Sequence, residues 1–95
     1  MDWIWDAKKA AINKAKHGVS FETAILVFED EFQISLLDHF PSEIRYITIG
    51  RPSIYSPIVL VVVHTWNKTG PGRIISAREA SKKEKGIYRD DNLKN

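Results

Sequence analysis

Three side chains near the carboxyl end of the chain, with a nearby serine, could act together on a phosphodiester. In the segment 73–79, strand alternation would place Ser76 and Arg78 on one face. In the next segment, Glu84 and Tyr88 are four residues apart and would share a helix face. A guanidinium can stabilise charge on a phosphate, while a carboxylate or a phenol can carry a proton. These residue types in this arrangement are compatible with phosphodiester chemistry.

The same residues also have a purely structural interpretation. A guanidinium keeps its charge and is costly to bury without a partner. Arg78 could therefore form a salt bridge with Glu84 that joins strand to helix, with Tyr88 covering the edge of the core. Arg73 needs an anion as well, and alternation without a bulge would turn it away from the face of Arg78. From the residues alone, both interpretations stay open.

Three further side chains are candidates for contact with an external anion. Lys16 and His17 close a predicted helix, where the helix dipole also favours a histidine. Arg45 falls on the core-facing row of a strand. It therefore requires an internal carboxylate, Asp38 or Glu43, or an external anion. The histidines and carboxylates show no metal-ligand spacing, so the sequence predicts no metal site and no cofactor.

Local patterns predict the helices that must position these side chains. Asp6 is a suitable N-cap for a first helix, and Gly18 can end that helix in the left-handed conformation. Ser20 caps a second helix, whose apolar residues recur at helical spacing. A capping box at Ser81 starts the last helix, which is predicted to reach about Asp91, with a frayed tail beyond it.

Four strands are predicted between the second and the last helix, at residues 32–37, 43–51, 58–66 and 73–79. The third is apolar on both faces, which is typical of a central strand covered on both sides. Short connections between successive strands imply an antiparallel meander with helices packed on its faces. The predicted fold class is α+β, with two N-terminal helices, a four-stranded antiparallel sheet and a C-terminal helix in one domain, residues 1–95.

Composition limits the function in a few respects. The chain of 95 residues has no cysteine, which excludes disulfides and thiolate metal sites and suits the cytoplasm. Its longest apolar run, 58–63, is far shorter than the roughly 20 residues of a membrane helix. Residues 18–44 contain six acids and no Lys or Arg, whereas residues from 73 onward contain seven bases and four acids. The basic parts could meet a polyanion or could simply be solvated helix faces.

Several blocks resemble the BrnT family of toxins from bacterial type II toxin–antitoxin pairs. In order, the blocks are Trp5-Asp6-x-Lys8 with Asn13, Lys16-His17-Gly18-Val19-Ser20-Phe21-Glu22-x-Ala24, Asp38, Glu43-x-Arg45, Ile49-Gly50, Val61-Val62-Val63-His64-Thr65, Arg73-Ile74-Ile75-Ser76-Ala77-Arg78-x-Ala80, and Glu84 with Tyr88. They extend over nearly the whole chain. The resemblance implies a RelE-like fold and a metal-independent endoribonuclease that inhibits growth. It also implies neutralisation by a cognate BrnA-like antitoxin, which would supply the only link to DNA.

The resemblance, taken with the shared faces, gives the candidate site residues their expected roles. Arg78 and Arg73 would bind or stabilise phosphate, and Glu84 and Tyr88 would be candidates for proton transfer. The supporting RNA contacts would be Lys16, His17, Arg45 and Ser76. The alternative function is a basic interaction module that binds a partner protein or nucleic acid without cutting it.

Overall fold

The computed structural model describes residues 2–93, apart from the side chains of residues 40, 92 and 93. Five strands form one sheet in the order β1-β5-β4-β3-β2. The strands are β1 Trp3–Ile4, β2 Ile34–Phe40, β3 Glu43–Gly50, β4 Leu60–His64 and β5 Gly72–Glu79. The helices are α1 Ala7–His17, α2 Phe21–Ala24 and α3 Lys82–Leu93, and a 3₁₀ segment, Ile25–Glu29, continues α2.

The ends of α1 follow the predicted capping chemistry. The Asp6 carboxylate accepts hydrogen bonds from the backbone N–H groups of Lys8 and Lys9, at 2.9 and 3.0 Å. At the other end, Gly18 adopts φ 73°, and its N–H donates to the carbonyl of Lys14 at 2.8 Å. These bonds satisfy backbone groups that a helix end leaves unpaired, so both predicted boundaries are confirmed.

α1 is attached to β5 through one amide side chain. Asn13 Nδ2 donates to the carbonyl oxygen of Ala77 at 2.8 Å, and the Ala77 N–H donates to Asn13 Oδ1 at 3.2 Å. β1 pairs only with Gly72 and Arg73, so Asn13 takes the place of a neighbouring strand farther along β5. Satisfying this exposed edge also fixes the position of α1 along the strand.

The two faces of the sheet have separate cores. On one face, α2 and the 3₁₀ segment pack over β4 and β5, with α1 alongside; the buried residues are Phe21, Ala24, Val27, Leu60, Val62, Ile74 and Ala77. We call this the helix-covered face. On the other face, Tyr88 of α3 packs with Ala80 against Ile49, Val59 and Val61. α3 covers only part of that second face, so the remainder is open to a ligand.

The α+β class is confirmed, but the sheet differs from the prediction of four antiparallel strands. Trp3–Ile4 forms a fifth strand that runs parallel to β5, so the sheet is mixed. Gly72 makes this approach possible. A Cβ atom at Gly72 would overlap the Trp3 indole and lie 2.6 Å from the Thr65 carbonyl oxygen. A two-residue strand has no periodicity to detect, which explains why the sequence did not predict it.

Other predicted boundaries shift by a few residues. The second helix is α-helical for only one turn before it tightens into the 3₁₀ segment. β2 starts at Ile34 and continues through Phe40, into residues predicted as a turn. α3 extends to Leu93, past the predicted end at Asp91, and the rest of the predicted frayed tail lies outside the described residues. Within residues 2–93, no helix is both long and apolar enough to cross a membrane.

Candidate nucleic-acid interface

A β-bulge in β5 changes which side chains share a face. Val63 of β4 pairs with Ser76, whereas the next residue, His64, pairs with Ile74. Ile75 is therefore an extra residue without a partner position on β4. One extra residue reverses the alternation of every side chain that follows it in the strand.

The reversal brings the two arginines of β5 to the same face. Ile74 and Ala77 are three residues apart, yet both lie in the helix-covered core. Arg78 is opposite Val61, which belongs to the core of the other face, and Arg73 precedes the inward-facing Ile74. The expectation that Arg73 and Arg78 lie on opposite faces is wrong, because it assumed a strand without a bulge.

At one end of this open face, two arginines share a carboxylate oxygen. Glu43 Oε1 accepts from Arg73 Nη2 at 2.6 Å and from Arg45 Nε at 3.1 Å. The hydrogen bond from Arg73 is the main cause that lowers the pKa of Glu43. Glu43 was one of the two predicted partners of Arg45; the other, Asp38, lies opposite Arg45 in the β2–β3 register. The Arg73 side chain remains 45% exposed and accessible to an external anion.

At the other end, Arg78 forms a two-fold ion pair with Glu84. Arg78 Nη1 and Nη2 lie 2.7 and 2.9 Å from Glu84 Oε1 and Oε2. Glu84 also accepts the Ser81 N–H at 2.8 Å, and its own N–H donates to Ser81 Oγ at 3.2 Å, which confirms the predicted capping box. The hydrogen bonds from Arg78 are the main cause that lowers the pKa of Glu84 to about 2. The carboxylate is therefore ionised at neutral pH.

The ion pair does not use the whole guanidinium of Arg78. The group carries five N–H donors; its bonds to Glu84 use two, and Nη1 also donates to the Glu79 carbonyl at 3.4 Å. The Arg78 side chain is 42% exposed, whereas Glu84 is 21% exposed. The predicted salt bridge thus exists, and it leaves donors of Arg78 available to a phosphate.

The Tyr88 hydroxyl pairs with Asp30, whereas Glu84 pairs with Arg78. This hydroxyl donates to Asp30 Oδ2 at 2.7 Å, and the Tyr88 ring is buried in the core beneath α3. Burial, followed by the Asp30 hydrogen bond, raises the pKa of Tyr88 to about 12. Asp30 also accepts the Arg51 N–H at 2.8 Å. Tyr88 therefore joins α3 to the end of the 3₁₀ segment through Asp30.

Three of the predicted RNA contacts come together beside α1. A groove of about 240 Å³ separates α1 from β5. Its lining residues are Lys9, Ile12, Asn13, Lys16, His17, Ile75 and Ser76. Ser76 thus links the groove to the strand that carries Arg73 and Arg78. Arg45, the fourth predicted contact, lies instead with Arg73 at the end of the open face.

His64 has a structural role that the sequence did not predict. Its Nε2 lies 2.7 Å from the Thr48 hydroxyl, and its Nδ1 lies 3.2 Å from the Thr65 carbonyl, which can only accept. Nδ1 is therefore the protonated nitrogen, and Thr48 donates to Nε2. Burial lowers the pKa of His64 to about 4. Within residues 2–93, no three His, Cys, Asp or Glu side chains are grouped as a metal site requires.

Comparison with known proteins agrees with the resemblance seen in the sequence. The model of the family described as the ribonuclease toxin BrnT of type II toxin–antitoxin systems matches residues 5–84. The chain is also similar to the crystal structure, at 1.1 Å resolution, of the Brucella abortus ribonuclease toxin BrnT. The two share 25% identity with a TM-score of 0.62, over 86% of this chain and 99% of that one. A comparison with curated proteins gave no match.

Proposed function

This chain belongs to the BrnT family of ribonuclease toxins of type II toxin–antitoxin systems, and we propose that it is itself a growth-inhibiting endoribonuclease. Its partner in this proposal is a BrnA-like antitoxin, through which alone it is connected to DNA, and its site of action is the cytoplasm. The observation that carries the proposal is the bulge at Ile75. The bulge aligns Arg73, Ser76 and Arg78 on the open face of the sheet.

The spacing of the two arginines favours contact with separate phosphates of one RNA strand. Five residues of β-strand place their backbones about 15 Å apart. Each guanidinium is also directed away from the other, Arg73 toward Glu43 and Arg78 toward Glu84. Such contacts set the position of the RNA without reading its sequence. Lys16 extends the basic track over the edge of β5 into the groove beside α1.

For the chemical step, we assign Arg78 to the charge on the phosphate that is cut. The 2′-oxygen of the adjacent ribose attacks phosphorus and loses its proton, while the bond from phosphorus to the 5′-oxygen breaks and that oxygen gains a proton. A guanidinium beside the phosphate stabilises the additional negative charge of this transition state. No cofactor is needed for this step.

The proton-transfer candidates then differ in suitability. Glu84, held by Arg78 with a pKa of about 2, is a weak base, so we assign it to orienting the guanidinium. The Tyr88 hydroxyl donates a hydrogen bond to Asp30 and, with its pKa raised to about 12, keeps its proton, so we assign Tyr88 to holding α3 in place. An imidazole is the side chain best suited to exchange protons near neutral pH. His17 lines the same groove as Ser76, and we therefore propose it as the proton-transfer residue.

Expression of the chain alone, and then with its antitoxin, tests this function. The chain alone should arrest bacterial growth, and the purified protein should cut RNA in the presence of a chelator. Co-expression of a BrnA-like antitoxin should restore growth. If the folded protein instead binds RNA with a steep salt dependence and leaves it intact, the chain is an interaction module and the enzyme assignment is wrong.

A further inference from the structure

The helix-covered face presents apolar side chains to solvent around the 3₁₀ segment. Leu26 is 42% exposed, and Ile54, in the loop between β3 and β4, is 73% exposed. Two hollows, of about 390 and about 220 Å³, both include Leu26 and Glu29 in their linings. The larger hollow is otherwise lined by Trp3, Ile25, Phe28 and Trp66. Exposed apolar surface of this kind marks an interaction site.

Carboxylates accompany this apolar surface. Glu22, Leu26 and Glu29 are spaced by four and then three residues, which places them in a row along α2 and the 3₁₀ segment. In the part of the chain that the structure describes, neither Glu22 nor Glu29 forms an ion pair. No Lys or Arg occurs in the sequence from residue 18 to residue 44. Arg51 lines the smaller hollow together with Glu29 and Asp30, but it forms no ion pair with Glu29. We call Glu22, Leu26, Glu29 and Ile54 the acidic surface.

The loop that carries Ile54 is held in place by its own serines. The Ser56 N–H donates to the Ser53 carbonyl at 3.0 Å, and the Tyr55 N–H donates to Ser53 Oγ at 3.1 Å. The Ile58 N–H donates to Ser56 Oγ at 3.0 Å. A loop ordered in this way loses less conformational entropy when a partner binds.

We propose that the acidic surface docks a Lys- and Arg-bearing amphipathic segment of the antitoxin. The apolar hollows would receive apolar side chains of that segment, and its cations would pair with Glu22 and Glu29. RNA does not fit here because its phosphates would meet these carboxylates. The inference rests on the proposed function, since it locates the partner of that toxin.

At this location, an antitoxin segment would bind the toxin without covering Arg73 and Arg78. Arg73 and Arg78 lie on the open face, on the other side of the sheet from the acidic surface. A segment bound at the acidic surface alone therefore leaves both guanidinium groups uncovered. Inhibition of cleavage must then come from another part of the antitoxin that reaches the open face.

A helical peptide of about 15 residues, with leucines on one side and lysines on the other, is the probe. A matched peptide carries glutamates in place of the lysines. Binding to the full chain is followed by tryptophan fluorescence, because Trp3 and Trp66 line the larger hollow. The lysine peptide should bind and the glutamate peptide should not, and neither should change the rate of RNA cleavage.

Variants of the chain complete the test. L26D should weaken binding of the lysine peptide at least tenfold, on the order of a hot-spot loss. E29K should weaken it about fivefold at low salt and should improve binding of the glutamate peptide. L36D, at a leucine of β2 that is 44% exposed and lies opposite Ile47 on the open face, is the matched control and should bind as the unaltered chain does.

Each other outcome counts against the proposal. Equal binding of both peptides, or full binding by L26D and E29K, overturns docking at the acidic surface. So does concentration-dependent self-association that L26D abolishes, since the occupant would then be a second copy of this chain. Failure of the unaltered chain to cut RNA contradicts the proposed function and leaves the peptide result to be judged separately.

Discussion

Arg78 and Glu84 face each other through two hydrogen bonds, with Nη1–Oε1 at 2.7 Å and Nη2–Oε2 at 2.9 Å. The arginine belongs to β5 and the carboxylate to the first turn of α3. Glu84 also closes the capping box with Ser81, so the direction of the guanidinium depends on where α3 begins. A change at either residue is therefore expected to affect both the proposed phosphate contact and the helix end.

Replacement of Arg78 should affect catalysis far more than stability. We expect R78A to reduce the RNA cleavage rate by about 10²- to 10³-fold, because it removes charge stabilisation at the transition state. R78K should recover only part of the rate, since an ammonium cannot keep the two-fold geometry with Glu84. R89A is the control, because Arg89 is an exposed arginine of α3. Equal rates for R78A and R89A would remove Arg78 from the proposed site.

Replacement of Glu84 should distinguish an orienting role from a general base. E84Q keeps the shape of the side chain and its capping ability, so we expect a loss of cleavage of less than about tenfold. The dependence of the rate on pH near neutrality should stay unchanged, because the pKa of Glu84 is about 2. A much larger loss, accompanied by disappearance of the acidic limb of the pH–rate profile, would make Glu84 the base.

His64 should make the fold sensitive to mild acid. Burial lowers its pKa from 6.5 to about 4, so between these values the unfolded chain binds a proton that the folded chain excludes. The stabilising effect of the neutral ring is complete above pH 6.5 and is lost as the pH falls. Denaturant unfolding should show a free energy of unfolding about 2–3 kcal/mol lower at pH 4.5 than at pH 7.

A neutral replacement serves as the control for His64. H64Q should lower stability at pH 7 but should show a much smaller change between pH 7 and pH 4.5. If the free energy of unfolding fell as much between pH 7 and pH 4.5 in H64Q as in the unaltered chain, the acid sensitivity would come from other groups.

Tyr88 should contribute to stability and not to proton transfer. Y88F removes the hydroxyl that donates to Asp30, and we expect the free energy of unfolding to fall by about 1 kcal/mol. Asp30 keeps its bond from the Arg51 N–H, so the carboxylate is not left alone. Cleavage measured well below the unfolding temperature should be nearly unchanged. If a folded Y88F protein lost RNA cleavage, Tyr88 would have to be counted among the catalytic residues.

The parts of the fold that depend on local chemistry could be predicted from the sequence. Asp6, Gly18 and Ser81 act through backbone groups a few residues away, and each forms the cap that its type and position indicate. The continuous apolar run identified β4 as a central strand. The pairing of Arg78 with Glu84 followed from their charges and from the short distance between strand and helix.

Features that depend on distant residues could not be predicted. The pairing of Trp3 with Gly72 joins segments at opposite ends of the chain and depends on the fit of one indole against a glycine. The bulge could not be predicted either, because the residues of Arg73-Ile74-Ile75-Ser76 suit either alternation of inward and outward side chains. It is therefore visible only in the register with β4, and this is why the sequence placed the two arginines on opposite faces.

Whether two residues of β5 share a side depends on whether the number of residues between them is odd or even, and the bulge changes that number. Arg73 and Arg78 are an odd number of residues apart, which would place them on opposite sides of a regular strand, and the extra residue Ile75 brings them to the same side. Deletion of Ile75 would leave Ile74 opposite His64 and Ser76 opposite Val63, so both arginines would stay on the open face. Substitution of Ile75 also leaves the count unchanged, so a scan of single substitutions would overlook this position. We therefore expect the folded deletion variant to keep RNA cleavage, whereas insertion of one residue between Ser76 and Arg78 should turn Arg78 toward the core that contains Val62 and abolish cleavage.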